Sequence, residues 1–283
     1  MVLGITQAEP NVGSLDSQGG IIAILPSPPL KTPTGEYTMP DKQYRKIGHL
    51  LALGTNTKLA KGTQDYLIAG LSLAPSNLSG YRVCTHEKVA SCVETCLFYA
   101  GRGVMKPVKK ARIRKTRLLM EDRHEFLRLL DLDLRSMLKY ANKHQKKLAV
   151  RLNVLSDLSW ENIFDMSKYD IQFYDYTKRT TRLGKLPSNY DLTLSVYEHK
   201  HLYPKAILKA RETNTNIAAV FDGPIPKTFE GLPTFLGDDD DLRFLDPKPC
   251  CVALKAKGRL LNKTILSQMK SKLSFDSKEL AHA

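Results

Sequence analysis

The stretch KLAVRLNVL, Lys147 to Leu155, decides the architecture of the chain. It is a short apolar run that stops at Ser156 and Asp157, and it reads as a strand ending in polar residues. On its amino side, Phe126, Leu130, Leu134 and Leu138 recur every four residues between Arg117 and Lys147, with Leu127 and Met137 widening the stripe. That spacing predicts an amphipathic helix of several turns. On its carboxyl side, SWENIFDMS suits a short helix with Ser159 as N-cap and Glu161 in the favoured first turn. The same reading gives strands at DIQFYDYT (Asp170 to Thr177), DLTLSVYE (Asp191 to Glu198), NIAAVFDG (Asn216 to Gly223) and CCVALKAKG (Cys250 to Gly258). YPKAILKARET, Tyr203 to Thr213, fits as a helix before the NIAAVFDG strand, and YLIAGLSLAP, Tyr66 to Pro75, as an earlier strand with a proline stop. Strands alternating with helices predict an α/β fold: a mainly parallel sheet of about six strands, open or partial-barrel, with flanking helices.

The 283 residues suffice for one large domain or two small ones, and we read one. Residues 1–45 (SLDSQGG, LPSPPLKTPTGEY, MPDKQ) are punctuated by Pro, Gly and Ser, which predicts an extended or partly disordered arm. Residues 46–262 form the predicted α/β domain, and the polar, lysine-rich 263–283 a tail. No apolar run approaches the roughly 18 residues of a membrane helix. The N-terminus lacks the basic region, apolar core and cleavage site of an export signal. Five cysteines, an odd number with three clustered, speak against a disulfide framework and for a reducing cytoplasm with thiols or a metal site. The net charge of +14 points to a polyanionic partner, nucleic acid or a nucleotide first, with a solvated basic surface or anionic lipid as the alternatives.

In a parallel α/β sheet, ligands bind beyond the carboxyl ends of the strands. The polar residues expected there are Asn153, Ser156 and Asp157; Asp175, Tyr176 and Lys178; Glu198 and His199; Asp222; and Lys255 and Lys257. Asp157 and Asp175, carboxylates at adjacent strand ends, are the general-base candidates, and Asn153 and Lys178 would orient the reacting group. Strands also end in polar residues for structural reasons alone, so the set weighs more than its members.

Cys84, Cys92 and Cys96 are spaced C-x7-C-x3-C. Thiolates are soft ligands, and three of them leave one coordination position open. That suits an iron–sulfur cluster or, alternatively, zinc completed by His86, water or a remote residue. Three free thiols packed on a helix is the structural alternative. The following AGRG offers Gly101, Arg102 and Gly103 for close approach to an anion. In VMKPVKKARIRKTR, a helix would set Lys106, Lys110 and Arg114 on one side. Gly101, Arg102, Gly103, Lys110 and Arg114 are thus the phosphate candidates, against the alternative of a solvated basic face.

Three further stretches carry chemistry more weakly. Tyr174, Tyr176, Lys178, Arg179 and Arg182 suit base stacking beside phosphate contacts, or ordinary sheet packing. Glu198, His199, His201 and Tyr203 could surround a metal only if both histidines reached one ion. Asp238 to Asp241 offer hard oxygen ligands, with a solvated acidic loop the stronger reading. Cys250 and Cys251 read as core and surface thiols. No Walker loop, dinucleotide fingerprint, nucleophile elbow or kinase set is present.

The words CVETCLFYAGRG, ARIRKTRL, AVRLNVLSDLSWE, FYDYTK, LTLS, AVFDG, DLRFLDP and ALKAKG occur in that order over about two thirds of the chain. On them the chain resembles the "gene product eighty-eight"-like family of phages and plasmids. That resemblance implies a mobile-element origin and action in a bacterial cytoplasm, and carries no activity with it. In architecture the chain also resembles radical S-adenosylmethionine enzymes, whose partial barrels hold three cysteines in the loop after the first strand; this implies S-adenosylmethionine as a cofactor candidate. Two functions are therefore expected. One is a metal-dependent enzyme acting on nucleic acid or a nucleotide through the cysteine loop and basic segment. The other is a non-catalytic nucleic-acid-binding protein with incidental cysteines.

Overall fold

The computed structural model describes residues 47–54, 65–87, 92–99, 101–197, 199, 201–221 and 223–256. The predicted arm and tail, and Glu198, Asp222 and Lys257, lie outside them. In chain order the strands are β1 (Leu51–Leu53), β2 (Tyr66–Leu71), β3 (Lys147–Arg151), β4 (Gln172–Thr177), β5 (Tyr190–Ser195), β6 (Ile217–Phe221), β7 (Thr228–Phe229), β8 (Leu232–Leu236) and β9 (Cys251–Lys255). The α-helices are α1 (Cys92–Thr95), α2 (Lys106–Glu121), α3 (Arg123–Lys143) and α4 (Tyr203–Glu212).

The strands form one open nine-stranded sheet in the order β1-β2-β3-β4-β5-β6-β9-β8-β7. Every pairing from β2 to β8 is parallel, and only the short edge strands β1 and β7 run antiparallel. All six expected strands are present, each trimmed at its ends. The sheet has three more, β1, β7 and β8, which correct the count of six. They were too short, or too broken by proline, to stand out: β1 has three residues and β8 contains Pro233.

β2 through β6 follow one another across the sheet, and right-handed crossovers that advance one way put their connections on one face. The main core accordingly packs α2, α3 and α4 against Leu148, Val150, Phe173, Leu192, Leu194 and Ile217. Burial of Phe126, Leu130 and Leu134, all at most 1% exposed, contributes roughly 1.5–3 kcal/mol each. The expected single helix from Arg117 to Lys147 is two helices. Asp122 leaves helical geometry at φ −138° and accepts the Glu125 N–H at 3.0 Å, ending α2 and capping α3. Among the described residues the opposite face holds two small clusters, around Ile68, Ala149 and Tyr174 and around Ala218, Cys250 and Val252, with Leu242 and Phe244 of the Gly237–Cys250 segment lying on the first.

Candidate active site

Residues that alternate along a strand face opposite sides of the sheet. Arg151, Tyr176 and Ser195, the last or next-to-last residues of β3, β4 and β5, therefore share the face without helices. There they form the floor of a cavity of about 340 Å³. The loops after β2 (Pro75–Leu78) and β3 (Asn153–Asp157) and the cysteine segment complete its lining, with Cys84 bonded to Leu155 of the β3 loop. The site lies at the carboxyl edge of the parallel strands, as the architecture predicts.

The loop wall is fixed by buried polar groups. The Asn153 Oδ1 accepts from Ser156 Oγ at 2.8 Å, Leu158 N at 2.9 Å and Trp160 Nε1 at 3.2 Å. Its Nδ2 donates to Leu158 O at 2.9 Å. Asp175 lies behind it, accepting from the Asn153 N–H at 2.7 Å and the Tyr190 hydroxyl at 3.0 Å. Burial pushes the Asp175 carboxyl up to about 7, against the Arg151 guanidinium and the Asn153 N–H, which favour its charged form. Asp157 accepts from Thr177 Oγ1 at 2.8 Å, Lys178 N at 2.9 Å and Arg182 Nη1 at 2.8 Å. Arg182 is itself buried between Asp157, Glu161 and Tyr190.

Of the four expected catalytic residues, Asn153, Asp157 and Lys178 reach the cavity. Asp175 does not line it; it is 1% exposed and bonded to Asn153, so it positions that residue. The Lys178 Nζ donates to Ser195 Oγ at 2.7 Å and sits 5.8 Å from the Tyr197 ring centroid. Among the described residues it has no carboxylate partner within ion-pair distance, whereas Arg151 is paired to Asp241 at 2.9 Å. Ser195 and Arg151 were missed in the sequence. A charged residue inside the otherwise apolar KLAVRL run was the available signal for Arg151; Ser195, the end of a plain LTLS run, had none.

Cys84, Cys92 and Cys96 all line the same cavity and are half-buried. Burial pushes the Cys84 thiol up to about 12, and the neighbouring Cys96 and Cys92 sulfurs add to the rise. Burial also raises Cys96; its sulfur accepts the Phe98 N–H at 3.4 Å, and Arg112 nearby acts in the opposite direction. Cys84 donates to Leu155 O at 3.6 Å. The three cysteines thus line one cavity. Among the described residues, no group of three or more His, Cys, Asp or Glu is spaced to hold a metal ion. In type the three thiols are soft ligands, which a bound metal or cluster would hold as thiolates against the upward push of burial; in placement they line one cavity without converging on a single point.

The expected phosphate residues fall elsewhere. Arg102, Gly103, Lys110 and Arg114 are not among the described residues that line the cavity, and the surroundings of Gly101 lie outside the description. Gly103 is required for packing: a Cβ there would lie 2.1 Å from the Phe98 carbonyl oxygen. Arg102 and Lys110 are exposed beside the cysteine segment, with α2 helical as expected.

The remaining candidates are structural in this arrangement. Tyr174 is buried and donates to Asp241 at 3.2 Å. The His199 Nδ1 accepts the Leu202 N–H at 3.2 Å just before α4, and Tyr203 donates to Glu230 at 2.8 Å. The acidic loop is anchored where a solvated one was expected: Asp241 pairs with Arg151, Asp240 with the buried Arg243 at 2.9 Å, and Asp238 accepts the Lys255 N–H. Cys250 and Cys251 are both buried, one on each face, so the surface thiol is corrected to a second core thiol.

Fold and site together define an open, mainly parallel α/β protein with a cysteine-walled cavity at the carboxyl edge of its sheet. Within that class the chain belongs to the family described as Gene product 88, whose model matches residues 49–272. The match takes in the sheet, the cysteine segment and α2. No curated protein and no solved structure matches the chain. No helix among the described residues is long and apolar enough to cross a membrane.

Proposed function

We propose that the chain is a metal-dependent enzyme whose reaction takes place in the cavity at the ends of β2 to β5, on a nucleotide or a molecule bearing one. The observation that carries this reading is that Cys84, Cys92 and Cys96 all line one cavity that also holds Lys178 and Ser195. Cys84, Cys92 and Cys96 would hold an iron–sulfur cluster or zinc. Such a group supplies either electron transfer or Lewis acidity, with one position left for a ligand.

The protein's own residues account for binding and orientation. A volume of about 340 Å³ lies in the range of small-molecule sites. The Lys178 ammonium, bonded to a neutral hydroxyl, is placed to take an anionic group such as a phosphate. Tyr176, with the Arg151 guanidinium 4.7 Å from its ring centroid, gives a flat floor for a ring system. Asp157 lines the cavity, but Thr177, Lys178 and Arg182 already bond it, so its role is to hold Lys178 in place.

Purification away from oxygen, followed by metal analysis and an ultraviolet–visible spectrum, tests the reading. The expected result is iron with a sulfur-to-iron absorption band, or stoichiometric zinc, lost when all three cysteines become serine. Protein carrying neither metal, under conditions where those elements are supplied, would remove the enzymatic reading.

A further inference from the structure

α2 is electrostatically discordant. It carries seven cations (Lys106, Lys109, Lys110, Arg112, Arg114, Lys115 and Arg117) and its only anion is Glu121, in the last turn. Its first turn, where the helix dipole favours negative charge, has no acidic residue and holds Lys106 and Lys109. Lys106 and Lys110, and Lys110 and Arg114, are like charges at i,i+4, a spacing that disfavours the helix. Among the described residues, no carboxylate lies within ion-pair distance of any of the seven. Arg102, Lys106, Lys109 and Lys110 are exposed, whereas the second half of α2 buries Thr116, Leu118, Leu119 and Met120. Arg112, Arg114 and Lys115 are half-buried, so the exposed cations cluster at the start of α2, immediately after the cysteine segment.

Between these cations and the cavity lies an apolar rim. Val93, Leu97 and Tyr99 line the cavity and are each 36–39% exposed; Val104 and Met105 continue the rim to α2 at 51% and 52%. An anion-binding helix, an exposed aromatic and a recess big enough for one nucleotide follow one another along the surface. A duplex can offer a base to such a recess only by unpairing and unstacking it, at a cost of a few kcal/mol. A single strand has unstacked bases and a phosphate at each step.

We infer that the exposed half of α2 and the Val93–Met105 rim bind single-stranded nucleic acid, with phosphates on Arg102, Lys106, Lys109 and Lys110 and one unpaired base passing Tyr99 into the cavity. This rests on the reading of the cavity as a nucleotide site and names the form in which that nucleotide arrives. From Lys106 to Lys110 the helix rises about 6 Å, the step between neighbouring phosphates of an extended strand, with Arg102 just before it.

Fluorescence anisotropy of the full chain with a labelled twelve-nucleotide single strand, and with the same sequence as a duplex, tests the inference across a salt series. The single strand should bind at least tenfold more tightly than the duplex. K106E/K109E/K110E should weaken it at least tenfold and flatten the log–log salt slope by about 2, at roughly 0.7 per charge contact on single strands. Y99A should weaken it about fivefold or more, the usual effect of losing one stacking aromatic. K139E/K143E/K205E changes net charge equally on exposed sites elsewhere and should leave binding within about twofold. Equal affinity for the duplex, equal loss in both triple variants, or binding to phosphatidylserine vesicles with none to the oligonucleotide would each overturn the inference. Metal content is read separately. Strand binding by metal-free protein leaves this surface standing and removes the enzyme, and metal-loaded protein that ignores the strand does the reverse.

Discussion

The two sides of the cavity are built on opposite principles. On the β3–β4 side, Asn153, Asp157, Asp175, Arg182 and Tyr190 form one continuous buried network in which each side chain makes at least two hydrogen bonds. On the cysteine side, Cys84 donates one long bond to a carbonyl and Cys96 accepts one from a backbone N–H. The buried Arg112 Nη1 has no hydrogen-bond partner and the guanidinium lies 5.6 Å from the Phe98 ring centroid. A fully satisfied polar network specifies a single geometry. A lining of thiols and apolar side chains fixes position less tightly. The comparison marks the β3–β4 residues as the frame of the cavity; the chemistry proposed above falls to the cysteine residues.

The largest effect should come from breaking the frame. Arg182→Met leaves Asp157 and Glu161 buried without their shared cation, and an uncompensated buried charge costs about 3–5 kcal/mol. Urea unfolding should show that loss. A variant within 1 kcal/mol of the parent would mean that the network contributes little, and the contrast between the walls would disappear.

Asp175 sharpens the same contrast through pH. Burial raises its native carboxyl to about 7 from an ordinary 3.8, so the folded state holds the proton more tightly than the unfolded chain. The resulting stabilisation is complete below the ordinary value and is lost as pH rises through about 7. Asp175→Asn removes that titration. Measured by unfolding between pH 4 and 8, the parent's stability relative to the variant should fall by a few kcal/mol as pH rises. A pH-independent difference between the two would show that Asp175 stays charged in the folded protein.

Much of this frame was legible in the sequence because it depends on local periodicity. The strands from Tyr66, Lys147, Asp170, Asp191, Asn216 and Cys250 all appear where their apolar runs lie, and the cysteine segment does face their carboxyl ends. What was not legible depends on contacts distant in sequence. Asp241 looks like part of a solvated acidic run until Arg151, 90 residues earlier, is found beside it. Asp175 looks like a free strand-end carboxylate, but strand alternation turns it into the helix-covered core, away from the cavity that Tyr176 faces. Gly103 resembles an anion-binding glycine, and only the approach of the Phe98 carbonyl reveals its steric role. The break at Asp122 could have been found: Asp followed three residues later by Glu125 is a helix-start signature inside what was read as one helix.

Gly103→Ala should act on the cysteine side alone. Its Cβ would meet backbone, the Phe98 oxygen at 2.1 Å and its carbon at 3.0 Å, so the turn carrying Cys96 must shift. Overpacking of this kind costs about 1–3 kcal/mol. A lower melting temperature should accompany altered reactivity of Cys96 towards a thiol reagent, with Cys250 and Cys251 remaining protected. Equal changes at all five cysteines would mean that the strain spreads through the whole fold.

The smallest effect should be on stability when sulfur becomes oxygen. Cys92→Ser with Cys96→Ser changes two half-buried groups at a cavity wall, where neither a packed core nor a charge pair is disturbed. The metal-free protein should therefore change by less than about 1 kcal/mol. Iodoacetamide labelling gives the complementary reading on the parent. With its thiol pushed up to about 12, Cys84 should stay largely unmodified at pH 8 in metal-free folded protein, and label fully once the chain is unfolded. If the double serine variant instead lost as much stability as Arg182→Met, the thiols would be part of the frame. The two walls would then differ in chemistry only, and the cysteines would no longer be the side of the cavity left for a ligand.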